Sequence, residues 1–174
     1  MVKSILVAND GSGCAERAVR FAGDLAAACG ARLVIVHAYQ DSVPDELRHM
    51  VEVEHLSEPP AKETTLGRTG SAAISALSAE ARAETAAERR AAEAVGHRIV
   101  EEAARAARER GAKEVVSFNE HGKPADVILD IARREEVDMI VMGRRGLSDL
   151  AGLLLGSVTH KVMHLADCAC TTIR

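Results

Sequence analysis

The chain has 174 residues, 28% of them charged, with 22 Lys and Arg against 26 Asp and Glu for a net charge of −4. That balance lacks the basic footprint of a nucleic-acid binder, so no nucleic acid is expected as a partner. No apolar run approaches the roughly 20 residues a bilayer span needs, and the opening MVKSILVAND turns polar too early for a secretory signal. A cytoplasmic protein without a membrane partner is expected. Only 2% of the chain is aromatic, so its core must be built from Val, Ile, Leu and Ala. Cys14, Cys29, Cys168 and Cys170 are few for this length and mostly fall in apolar patterns, which suits reduced, packed thiols. The length suits one domain over 1–174.

Ser4 to Asn9 (SILVAN) is an unbroken apolar run, the pattern of a strand buried on both faces. It stops at Asp10-Gly11-Ser12-Gly13. Beyond that turn, Ala15, Ala18, Val19, Ala22, Leu25, Ala26 and Cys29 recur at helical spacing, with Gly30 placed as a C-terminal cap. Arg32 to Ala38 (RLVIVHA) is the second strand, and a right-handed crossover makes it parallel to the first. Pro44 to His55 suits a short helix, which Pro59-Pro60 would end. Glu63 to Ser75 is rich in Gly, Ser and Thr and reads as a loop. From Leu77 to Arg110 the composition shifts to Ala, Glu and Arg, strong helix formers. Val95, Ile99, Ala103 and Ala107 recur every four residues, so the second half of that helix is expected on the sheet. The first half offers only Ala and charges. It reads either as a solvated extension or as a surface for a protein partner.

Glu114 to Asn119 is the third strand, and His121-Gly122-Lys123-Pro124 is a turn with Pro at the first helical position. Val127, Ile128, Ile131 and Ala132 follow on one helical face. Val137 to Met142 is the fourth strand. Ser157 is expected to cap a last helix burying Val158, Val162, Leu165 and Ala166, and Ala169 to Ile173 is the fifth strand. Five strands joined by helical crossovers predict an α/β fold: a doubly wound parallel five-stranded sheet with helices on both faces.

In such a sheet ligands bind beyond the carboxyl ends of the strands, where strand order reverses. Two of those ends carry glycine turns, Asp10 to Gly13 and Gly143 to Gly146. If the first and fourth strands are neighbours, both turns face one cleft. Asp10 then offers an acceptor for a ribose, and the second turn offers N–H donors with Arg144 and Arg145 nearby. The stretch from Val141 to Thr159 (VMGRRGLSDLAGLLLGSVT) leaves a strand through glycines and enters a helix at a small hydroxyl residue, which collects backbone N–H groups around an anion. Other constellations carry less. His160 and His164 are four apart, but Lys161 stands where a zincin has Glu, and they read as surface histidines. Cys168-x-Cys170 lacks the spacing of a redox pair. There is no Walker A sequence and no Ser, His and Asp set around a nucleophile.

The spacing Gly143-x2-Gly146-x9-Gly156-Ser157 resembles the nucleotide-binding signature of the universal stress protein family, in its ATP-binding branch. The segments ILVANDGS, GKPADVILDIARREEVDMIVMGRRG and LLLGSVTHKVMHLADC resemble that family's opening strand, its third-helix and fourth-strand region, and its closing helix. The resemblance implies adenine against the end of the second strand at Ala38, with Ala8, Asn9 and Asp10 on the other wall and Asp10 at the ribose. It implies further that Met142, Gly143, Arg144, Arg145 and Gly146 border ribose and phosphates, and that Gly156, Ser157, Val158 and Thr159 hold the phosphates. ATP is the implied cofactor, with Mg²⁺ or Mn²⁺ carried by the phosphates rather than by protein ligands. No catalytic residue is expected, and hydrolysis would be slow at most, because no residue in the motif is an evident base for water.

A homodimer is also implied, formed by the last strand or by the long helix; Ala169, Cys170, Thr171 and Thr172 are more polar than the family's usual last strand. The loop and long helix at about 57–110 exceed the usual length. Three functions stand open: a nucleotide-dependent regulatory or stress-response protein, an adenine-nucleotide hydrolase or transferase, and a nucleotide-free interaction module. Fold alone does not choose between them.

Overall fold

The two most uniformly apolar runs of the chain lie at the middle of its sheet. The computed structural model describes the backbone of residues 1–53, 70–147 and 155–174, and the side chains of 1–51, 82–147 and 155–174. In chain order the elements are β1 (Ser4–Ala8), α1 (Gly13–Cys29), β2 (Arg32–Tyr39), a 3₁₀ turn (Asp45–Leu47), α2 (Arg48–Val53) and α3 (Gly70–Glu109), followed by β3 (Val115–His121), α4 (Pro124–Arg134), β4 (Met139–Gly143), α5 (Ser157–Leu165) and β5 (Ala169–Ile173). The sheet order is β3-β2-β1-β4-β5 and every pairing is parallel. Strand order therefore reverses at β1, with β2 on one side and β4 on the other. That reversal makes β1 and β4 neighbours, as the two glycine turns required.

Ile5, Leu6 and Val7 of β1 are fully buried because helices cover both faces. Burial of each such side chain is worth about 1.5–3 kcal/mol relative to exposure. On one face Ile5, Val7, Leu33 and Ile35 pack with Ala18, Val19 and Ala22 of α1 and with Val100, Ala103 and Ala107 of α3. On the other, Leu6, Val34, Val36, Ile140 and Met142 pack with Ile128 and Ile131 of α4 and Val162 of α5. α1 approaches α3 closely at Gly23, where an added Cβ would stand 3.2 Å from the Cα of Ala107. A third cluster joins Val43 and Leu47 of the β2–α2 connection to Ala92, Val95 and Ile99 of α3.

The ends of the elements follow local chemistry. α1 is capped by Ser12 and closes at Gly30, whose φ of 64° suits a residue without Cβ. α4 starts at Pro124, where a missing N–H costs nothing. The Asp138 carboxylate accepts from the backbone N–H of Lys3 at 2.6 Å and of Ser4 at 3.0 Å. Those two bonds hold its pKa below the usual carboxylate range and tie the start of β4 to β1.

Several expectations shift. Residues 70–75, read as loop, are the first turns of α3, because Ala-rich sequence on their C-terminal side propagates a helix backward past Ser71 and Gly70. Residues 63–69 lie outside the described residues. The Pro44 to His55 segment divides into the 3₁₀ turn and α2, with 54 and 55 outside the described residues. Ser157 is the first helical residue rather than the cap, which is Gly156. Leu165 is 44% exposed rather than buried, since α5 ends there and the chain turns toward β5.

Candidate functional site

The carboxyl ends of β1, β2 and β4 and the start of α5 open onto one cavity of about 400 Å³. Two polar turns form its floor. In the first, Asn9 Oδ1 accepts from Gly11 N at 3.0 Å and Asp10 Oδ1 accepts from Ser12 N at 3.0 Å. Gly11 has φ 84°, which side-chain-bearing residues rarely adopt. Ser12 Oγ then accepts from Ala15 N at 3.2 Å and so satisfies an N–H at the start of α1.

The second turn is bound to the first. Leu147 N donates to Asp10 Oδ2 at 3.1 Å, so one carboxylate serves both turns. A Cβ on Gly146 would collide with that same oxygen. At Gly143 a Cβ would stand 3.0 Å from backbone atoms of Cys14 and Ala15, so β4 can approach α1 only without a side chain there. Thr159 Oγ1 donates to the Gly143 carbonyl at 3.0 Å, and Gly156 N donates to the Arg144 carbonyl at 3.0 Å. These bonds hold the start of α5 against the end of β4.

Gly156 differs from the other two. Its φ of −68° and ψ of 154° are open to any residue, and the nearest described atom to an added Cβ is 3.6 Å away. Neither the backbone nor the described packing demands glycine there. As a cap it offers no side-chain acceptor, so among the described residues the N–H groups of Ser157, Val158 and Thr159 have no partner. Three N–H donors at the positive end of a helix dipole, beside the exposed Ser157 hydroxyl, form an anion-binding arrangement.

At the opposite end the cavity is apolar. Ala8, Ala38 and Met142 from the strands meet Val43 and Leu47 from the β2–α2 connection and Val95 from α3. His37 is buried in this wall and its Nδ1 lies 2.7 Å from the Asn9 carbonyl. A carbonyl only accepts, so Nδ1 carries the proton and donates. Burial pushes the His37 pKa down, opposed by that hydrogen bond and by the Asp10 charge. Tyr39 lines the cavity too, its ring edge-on to His121 at 5.5 Å between centroids.

Of the residues singled out from the sequence, Ala8, Asn9, Asp10, Ala38, Met142, Gly143, Arg145, Gly146, Gly156, Ser157, Val158 and Thr159 all border this cavity. Arg144 does not line it, and its backbone instead bridges Ile173 and Gly156. The Thr159 hydroxyl gives its proton to Gly143, so its backbone N–H is the donor left for an anion. Sequence reasoning missed the wall made by Val43, Leu47 and Val95, since helical spacing marks Val95 only as core and no local pattern singles out Val43 or Leu47. It also missed His37, hidden inside an apolar strand. Among the described residues, no helix is long and apolar enough to cross a membrane, and His160 and His164 are exposed.

The fold and site define a doubly wound α/β protein whose carboxyl-edge cavity has an apolar end and an anion-binding end. A family model described as the Universal stress protein family matches residues 1–174, and the chain belongs to that family. A Thermus aquaticus relative, "Universal stress protein in QAH/OAS sulfhydrylase 3'region", is 36% identical over 174 residues, the whole of both chains. A solved universal stress protein in complex with cAMP is 26% identical with a TM-score of 0.61, the match covering 99% of this chain and 97% of that one. The universal stress protein UspA from Lactobacillus plantarum shares the fold at 22% identity and a TM-score of 0.66, over 99% of this chain and 98% of its own.

Proposed function

We propose that this protein binds an adenine nucleotide in the carboxyl-edge cavity and acts as a nucleotide-dependent regulatory protein of the stress response. The observation that carries the reading is the polarity of the cavity: an aliphatic slot at Ala38, Val43 and Leu47 leads past Asp10 to the uncapped start of α5. A base fits the first part, a ribose the second and a phosphate the third. The similar structure that holds cAMP supports an adenine nucleotide as the class of ligand.

The finer reading is ATP, with Mg²⁺ or Mn²⁺ carried by the phosphates. Ser157, Val158 and Thr159 would hold a phosphate through their N–H groups, with Arg145 bordering the same end. Asp10 already accepts two backbone N–H bonds, but each carboxylate oxygen retains a lone pair, enough to receive a ribose hydroxyl. With Asp10 so engaged it is a poor base for water, which supports at most slow hydrolysis. A homodimer is proposed through β5, an edge strand of the described sheet.

The chain has no Trp and one Tyr, so copurified nucleotide would dominate its near-ultraviolet absorbance. An absorbance maximum near 260 nm, about where adenine absorbs, is expected, with adenine nucleotide released on acid denaturation and a calorimetric response to Mg-ATP. A clean spectrum with no heat from ATP, AMP or cAMP would overturn the reading. Phosphate release faster than about 1 s⁻¹, the low end of ordinary enzymes, would replace a regulatory protein with an enzyme.

A further inference from the structure

A second cavity, about 650 Å³ in volume, lies along α3 and is lined by Asp41, Arg82, Thr85, Ala86, Arg89, Arg90 and Glu93. Arg82 and Arg89 are two helical turns apart and Arg90 lies beside them. At about 100° per residue the three fall within one face of the helix, while Glu84 and Glu88 fall roughly 200° and 240° round from Arg82. Those two carboxylates therefore point away from the arginines, and the acid on the arginine face is Glu93, four residues beyond Arg89 at the far end of the groove. All three are exposed, and among the described residues none of them has an ion-pair partner. Arg98, about two turns beyond Arg90, pairs with Glu102 at 2.7 Å. Between the arginines stands Ala86, whose small side chain leaves the floor of the groove open.

The groove shares both its walls with the nucleotide cavity. Along the β2–α2 connection, Gln40 and Ser42 line the nucleotide cavity while Asp41 between them lines the groove. Along α3, Ala92 and Val95 line the first and Glu93 the second. Asp41 is held by His121 Nε2 at 2.9 Å. With Glu93 it makes that end acidic, so an anion in the groove would run along the arginine end and stop there.

We propose that this groove is a second anion site, for a small oligophosphate. Guanidinium forks hold phosphate oxygens in pairs, and three forks on one face carry the charge for more than one phosphate. Arg82 and Arg89 are about 10 Å apart along the axis, at roughly 1.5 Å per residue. Ala86 lies between them in the lining, and a chain of two to four phosphates spans that distance. The phosphate chain could be free or the tail of a nucleotide, and the two sources share this chemistry.

The test is calorimetric titration of the full chain with inorganic tripolyphosphate in about 0.1 M salt, where exposed charge is already substantially screened. Saturable binding below about 1 mM is expected. The triple substitution Arg82→Ala, Arg89→Ala, Arg90→Ala, which keeps strong helix formers, is expected to weaken it at least tenfold with native circular dichroism and unchanged AMP affinity. Repeating the titration with Gly146→Val, whose side chain would strike Asp10 in the nucleotide cavity, separates the sites: tripolyphosphate binding should persist. ATP binding that survives Gly146→Val and vanishes with the arginines would assign the nucleotide tail as a source. No saturable heat, undiminished binding by the triple variant, or loss of tripolyphosphate binding with Gly146→Val would each overturn the proposal. If the triple variant loses helical signal, Arg82→Ala and Arg89→Ala singly take its place. Each should then weaken binding severalfold, and unchanged affinity in both overturns it.

Discussion

α1 and α5 start at the same edge of one parallel sheet, each after a glycine turn, yet only α1 has a side-chain cap. Its cap Ser12 takes the N–H of Ala15, and Asp10 takes the N–H of Ser12, so two donors of that turn are satisfied by side chains. α5 starts from Gly156, which has no side chain to offer, and its first donors face the cavity. The helix dipole is alike in both. What separates a structural helix end from a ligand-binding one here is the absence of an acceptor on one residue.

Gly146→Val should have the largest effect, because it strikes the Asp10 carboxylate that links the two helix starts. Nucleotide binding is expected to disappear, with a loss of roughly 1–3 kcal/mol in stability as the turn shifts. Calorimetry and thermal melts measure the two, and retained affinity would place the nucleotide elsewhere. Asp10→Ala comes next: it removes two backbone partners and the ribose acceptor, and nucleotide affinity should fall at least about tenfold.

Gly156→Asp converts the open helix end into a closed one. Its backbone already has the extended conformation of a cap, so stability should rise by a few tenths of a kcal/mol or more. The new carboxylate would occupy the donors and repel phosphate, so affinity should fall roughly tenfold or more. An affinity equal to wild type would show that the α5 donors hold no phosphate. Paired serine variants sharpen the contrast. Ser12→Ala should cost about 1 kcal/mol in a denaturation experiment without touching affinity, whereas Ser157→Ala should spare stability and weaken nucleotide severalfold.

The smallest effect concerns pH. Burial lowers the folded-state pKa of His37 below 6.5, so below pH 6.5 the unfolded chain binds the extra proton first. Stability contributed by neutral His37 is therefore complete above about pH 6.5 and declines as pH falls toward the lowered folded value. His37→Asn should flatten that part of the stability curve, and an unchanged slope would remove His37 as its cause.

Much of this was legible in order along the chain. SILVAN announced a strand buried on both faces by its apolar run and VDMIVM a further strand, and the glycines after them marked where backbone comes close. The neighbourhood of β1 and β4 was a condition that the sheet order meets. What escaped reading depends on distance across the fold. Leu147 donating to Asp10 joins residues 137 apart, and no local spacing announces it. Val95 repeats with Ile99 as any core residue does, and only packing brings Val43 and Leu47 to it as the wall of a cavity. The start of α3 was misplaced because Gly70 and Ser71 read locally as loop residues, whereas helix formation is cooperative and extends from the Ala-rich turns after them.

Tyr39 has a further consequence. It is the one tyrosine of a chain without tryptophan, and it lines the nucleotide cavity while its ring meets His121, whose other partner is Asp41 in the arginine groove. The protein thus carries its single tyrosine fluorophore beside both cavities. Its emission can follow the filling of either one in unlabelled protein, without any engineered probe.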